Sequence, residues 1–133
     1  MIKWPITYTT YNDEEITEDF YFNLNKAELA QMQFDSNGTY TQFIQRLSNE
    51  RDIKKLSEEF RKIILSAYGK KSDDGRVFRK RKEDVEDFEQ SEAFSVLFME
   101  LLTSEEAATK FVKGILPKDL QGAPVPENLR LHR

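Results

Sequence analysis

The fold turns on residues 52–78, DIKKLSEEFRKIILSAYGKKSDDGRVF. Ile53, Leu56, Phe60, Ile63, Ile64 and Ala67 recur at steps of three and four, so a 3.6-residue period gathers them on one stripe. Lys54, Lys55, Glu58, Glu59, Arg61 and Lys62 fall outside it, and the pattern predicts an amphipathic core helix. The pair Glu58 and Lys62 adds only about 0.2–0.5 kcal/mol, so the apolar stripe decides where the helix lies. Gly69 is expected to close the helix as a left-handed cap. Ser72-Asp73-Asp74-Gly75 carries the side chains of a type I turn with glycine last, and Phe78 returns as an apolar anchor.

Upstream, Ile16, Glu18, Phe20, Phe22 and Leu24 alternate with Thr17, Asp19, Tyr21 and Asn23, which predicts a strand. Residues 6–11, rich in Thr and Tyr, form its partner across the turn Asn12-Asp13-Glu14-Glu15. Two strands alone are marginal in water, so the Phe20/Phe22/Leu24 face must cover a helix or meet another sheet. The free edges of such a hairpin are places where another subunit would add. Asn25 and Glu28 make a capping box for a short helix over 26–33, and Tyr40, Phe43, Ile44 and Leu47 space a second.

Downstream, the acidic run from Glu83 to Asp87 starts a helix with Val85 and Phe88 inward. Phe94, Leu97, Phe98 and Leu101 keep helical spacing, while Val96, Met99 and Leu102 widen the apolar surface past one stripe. Ser104, Glu105 and Glu106 open a last helix that carries Ala107, Ala108, Phe111, Val112 and Ile115 to Pro117. Pro117, Gly122, Pro124 and Pro126, with few large apolar residues, predict a disordered tail over 118–133. The expected architecture is α+β: one domain, 1–117, with an N-terminal β-hairpin packed on a bundle of about five α-helices.

A chain of 133 residues hides roughly two-thirds of its extended surface on folding, enough for a core without staples. None are available, because cysteine is absent; that suits a cytosolic protein. No apolar signal core follows Met1, and no run approaches a membrane span. Charged residues make up 33% of the chain, yet the formal net charge is only −4, a balance that argues against general affinity for nucleic acid. The sole histidine is His132, beside the C-terminus, so a histidine-based acid/base pair, a thiolate nucleophile and a zinc site lack their ingredients. Asp73 and Asp74 lack the alternating oxygen ligands and distal Glu of a calcium loop and read as turn residues. Neither a metal nor any other cofactor is expected.

Two features remain open at this level. The cations Lys70, Lys71, Arg76, Arg79, Lys80, Arg81 and Lys82 fit a solvated loop, an electrostatic contact with a protein, or a nucleic-acid site. The Phe94–Leu102 face is either sealed in the fold or exposed in part, with Met99 and Leu102 lining a groove for an amphipathic helix.

The stretch Tyr68-Gly69-Lys70-Lys71-Ser72-Asp73-Asp74-Gly75-Arg76-Val77-Phe78 resembles the signature of the tail assembly chaperones of long-tailed, siphovirus-type bacteriophages and of prophages of Gram-positive bacteria. The likeness extends upstream to 5–8 and 17–29, and downstream to Phe88–Leu101 and Phe111–Pro117, covering roughly residues 3–117. The basic run 79–82 and the tail after Pro117 depart from the family pattern, so no function is carried onto them. The resemblance implies a non-enzymatic protein of the host bacterial cytoplasm that binds the tape measure protein, keeps it soluble while the tail tube polymerises, and is absent from the mature virion. Contact with the tail tube protein and self-association are further expectations of it; a membrane partner is not. Its signature residues here are Tyr68, Gly69, Lys71, Ser72, Asp73, Asp74, Gly75 and Phe78; the partner-binding residues expected from the apolar helix faces are Phe94, Phe98, Met99, Leu102 and Phe111. A minor tail or neck protein retained in the virion, or a regulatory binding module, are the alternative readings.

Overall fold

Inward alternation begins earlier than the Thr/Tyr-rich stretch suggests. Ile2, Trp4 and Ile6 face the core, so strand β1 spans Ile2–Thr9 and pairs antiparallel with β2, Glu15–Phe22. The computed structural model describes residues 1–36 and 49–118, with side chains of 33–36 outside that description. The expected helix over 40–47 and the tail from 119 onward lie outside the described residues.

Register puts Trp4 opposite Phe20 and Ile2 opposite Phe22, so the face predicted from alternation in β2 is the face that packs. Thr10 and Asp13 close the turn, with Asp13 at φ 63°. The hydroxyls of Thr7 and Thr17 meet at 2.7 Å, and the Tyr8 hydroxyl donates to the Glu18 carboxylate. That bond, aided by lesser burial and the Glu18 charge, pushes the Tyr8 phenol up to about 12.

The capping box forms as the residues require. Glu28 N–H donates to Asn25 Oδ1 and Asn25 N–H to Glu28 Oε1, each at 2.9 Å, starting α1 over Lys26–Ser36. Helix α2, Ile53–Ala67, is capped by Asp52, which accepts from Lys54 N–H at 3.0 Å. Phe60, Ile63, Ile64 and Ala67 are buried on its stripe, but Ile53 is 65% exposed because the first turn overhangs the core.

Gly69 is not a helix cap. Tyr68 already adopts extended backbone, with φ −65° and ψ 141°, and the chain runs straight from α2 into strand β3, Tyr68–Lys71. Strand β4, Phe78–Arg79, returns beside it, giving one antiparallel sheet of order β1-β2-β3-β4. The expected two-stranded hairpin therefore meets a second one and becomes a four-stranded sheet.

The expected single helix over 83–102 is two. Helix α3, Lys82–Glu89, ends at Gln90, and Ser91 then N-caps α4, Glu92–Thr103, by accepting from Phe94 N–H. The Ser91 hydroxyl satisfies a donor that a continuous helix would have paired with its own carbonyl, so the chain turns there. Ser104 caps α5, Glu105–Ile115, as its position predicts. Helix α4 packs against β1, α2, α3 and α5, and is the central element. Among the described residues no helix is long and apolar enough to cross a membrane.

The aromatic core joins these layers. Phe22 is fully buried with the rings of Tyr68, Phe88 and Phe111 at 5.9, 5.8 and 5.0 Å, and Ile63, Ile64, Leu97, Leu101 and Ile115 fill round it. Lys80, which the sequence placed in a cationic run, is a structural residue. Its Nζ donates to Asn23 O, Glu28 Oε2 and Ser66 O at 2.6, 2.7 and 2.8 Å, tying β2, α1 and α2 together. Burial pushes its pKa down, against the pull of the Glu28 carboxylate.

Lys80→Met leaves a carboxylate and two carbonyls without their donor, and urea unfolding is expected to show a loss of about 2–4 kcal/mol. Adding Glu28→Gln should recover part of it. For Tyr8 the folded pKa lies above the unfolded one of about 10, so its contribution is complete below that pH. The stability difference between the parent and Tyr8→Phe should hold steady to about pH 10 and shrink as pH rises through the folded value of about 12.

Candidate docking face

Helix α4 is too apolar for one neighbour to satisfy. Ala93, Leu97 and Leu101, one turn apart, are sealed against the core. Phe94, Phe98 and Leu102 form the adjoining row and are half-buried; Met99, next round the helix, is 50% exposed, and Val96 beyond it 41%. The apolar surface thus starts at the core edge and continues to solvent. Phe94 and Phe98 stack at 5.7 Å, which fixes the shoulder of this face, while unbranched Met99 at its crest is free to adapt to what it meets.

Both ends of the helix are held. Tyr11, at the β1–β2 tip, donates to Gln90 O at 3.3 Å and to Glu92 Oε2 at 3.4 Å. On the far side, Trp4 Nε1 donates to Glu100 Oε1 at 3.2 Å, with Lys110 Nζ over the indole at 5.5 Å. The face is therefore an apolar shelf tied to β1 and the β1–β2 tip near its two ends.

The partner-binding residues expected from sequence divide cleanly. Phe94, Phe98, Met99 and Leu102 lie together on this shelf. Phe111 does not: it is fully buried against Trp4 at 5.4 Å and Phe22 at 5.0 Å, so it is a core residue and no partner reaches it in the folded state. Val96 is exposed as well, but two residues from both Phe94 and Phe98 it lies on the other side of the helix from them.

The signature residues form the β3–β4 hairpin, and most have structural work. Tyr68 is buried and stacks on Phe88 at 4.3 Å; burial, then the carboxylates of Asp84, Glu18 and Asp87, push its phenol up. The Phe78 ring lies across Gly69, where an added Cβ would sit 2.7 Å from Phe78 Cε2 and 2.9 Å from Arg79 O. Gly75 N–H donates to Ser72 O at 2.9 Å, with Gly75 at φ 74°. Asp74 Oδ1 accepts from Arg76 N–H at 3.0 Å and from Ser72 Oγ at 2.8 Å, and these bonds hold its carboxyl below the usual carboxylate range. Lys71 Nζ sits 5.9 Å over the Tyr21 ring, and Asp73 is exposed. Among the described residues no three His, Asp or Glu side chains converge as a metal site would need.

The hairpin and the shelf are joined through aromatic rings: Phe98 to Phe94, Phe94 to Phe88 and Phe88 to Tyr68, at 5.7, 5.7 and 4.3 Å. Because Gly69 lies under Phe78 and against backbone, Gly69→Ala should cost about 1–3 kcal/mol in chemical denaturation. Gly75→Ala, with open space about it but a positive φ, should cost about 1 kcal/mol.

Compared with known proteins, residues 1–127 match the model of a family described as phage tail assembly chaperone. The match runs through the basic run and past Pro117. No curated protein and no solved structure matches the chain.

Proposed function

We propose, for a chain that belongs to the phage tail assembly chaperone family, that it binds the tape measure protein and keeps it soluble while the tail tube polymerises. The observation that carries this reading is the α4 shelf, where Met99 stands half-exposed beyond the row of Phe94, Phe98 and Leu102. A long helical client exposes apolar stripes before assembly, and a shelf of this width takes one such stripe. Many weak contacts along one client shield it without locking it, since each copy contributes avidity only while its neighbours hold. Growth of the tube then displaces the copies by mass action, with no bond-making chemistry. In this reading the protein acts in the host cytoplasm, has a non-catalytic role, and leaves before the virion is complete.

Co-expression is the direct test. The tape measure protein is expected in the soluble fraction and to co-purify with this chain; a client that stays insoluble, or elutes apart, sinks the proposal. Purified virions should lack the chain by mass spectrometry, whereas a retained tail or neck component would be found there. Met99→Asp should abolish co-purification while changing stability by no more than about 0.5 kcal/mol, because half of that side chain already faces water.

A further inference from the structure

Of the seven cations clustered at 70–82, two are accounted for within the fold. Lys80 is held by Glu28 and two carbonyls, and Lys70 pairs with Asp84 at 3.3 Å. Lys71, Arg76, Arg79, Arg81 and Lys82 make no ion pair among the described residues. They concentrate positive charge on the β3–β4 hairpin and the start of α3, in a chain whose net charge is −4, with Val77 48% exposed among them. Lys71 also lies over the Tyr21 ring at 5.9 Å, which leaves Arg76, Arg79, Arg81 and Lys82 without a charge contact among the described residues.

We propose that the hairpin is a second contact for the client, and that it receives a carboxylate-rich segment next to the apolar stripe docked on α4. This rests on the reading of α4 given above. Three steps between neighbouring rings, from Phe98 to Tyr68, connect the shelf to the root of the hairpin. Three of the five cations are arginines, whose planar forks take carboxylates in bidentate pairs, and Val77 offers an apolar rest between them. A continuous phosphate backbone fits less well. Glu83, Glu86 and Asp87 stand exposed on α3 directly beyond the cations and would repel a polyanion that tracked past them, whereas discrete carboxylates end where the cations end.

The test uses the full chain and labelled amphipathic helical peptides that share one leucine stripe and differ in a terminal run of Glu, Gln or Lys, placed in turn at each end. Fluorescence anisotropy should show the Glu-tailed peptide binding roughly 10-fold tighter than the Lys-tailed one at low salt, the gap closing as salt screens it. The triple variant Arg76→Gln/Arg79→Gln/Arg81→Gln should lose that gap and keep its affinity for the Gln-tailed peptide. The salt dependence of the parent chain gives the same answer if the variant folds poorly. Equal affinity for all three peptides overturns the hairpin contact and leaves the shelf intact. Binding of none removes the shelf and this inference with it. Tight binding of a single-stranded oligonucleotide, with no preference for the Glu tail, would mean that the cations read phosphates instead.

Discussion

Burial of Phe22 is the contact on which the rest depends. Its ring leaves water completely, and the three rings about it come from β3, α3 and α5, which are far apart in sequence. A buried aromatic gains about 1.5–3 kcal/mol from desolvation, and edge-on neighbours add to that. It also enforces register. A one-residue slip of β2 would turn Phe22, Phe20 and Leu24 outward together, so the alternation seen in the sequence has one arrangement that satisfies it.

The polar counterpart of that aromatic centre is the Lys80 ammonium. It reaches the Asn23 carbonyl after β2, Glu28 Oε2 in the first turn of α1 and the Ser66 carbonyl in the last turn of α2 at once. The β4 strand that delivers Lys80 is only two residues long. Its placement relies on the turn bonds of Ser72 and Asp74 and on Phe78 lying over Gly69. The signature hairpin is thus a device for positioning one cation and one ring, which accounts for its small and turn-forming residues.

Helix α4 combines two roles that ordinarily compete. Its inner row, Ala93, Leu97 and Leu101, is the centre of the helical layer, and its next row reaches solvent without a change in chemistry. An exposed apolar surface on a structurally central helix stays rigid, and a rigid surface loses little entropy when it binds. That property suits the transient contact proposed for this member of the phage tail assembly chaperone family.

The amphipathic stripe of α2, the alternation of β2, the Asn25–Glu28 capping box and the Ser104 cap were legible in the chain because each depends on neighbours within a turn or on the two faces of a strand. The turn at 72–75 was legible for the same local reason. Local signals misplaced Gly69, joined α3 to α4 and put Ile53 and Phe111 on the wrong side of the surface. Partners distant in sequence decide two of these: β2 pulls Tyr68 and Gly69 into a strand, and Trp4 and Phe22 close over Phe111; the Ser91 cap splits α3 from α4, and no described residue seals Ile53. Lys80 is the clearest instance, since its charge reads like that of its neighbours until Glu28 and two remote carbonyls surround it. By itself the sequence determined which residues are apolar, at what period, and how helices start; only the tertiary structure decided which apolar rows are covered and which cations are left over, because covering a row or pairing a charge needs atoms that sequence distance does not bring together.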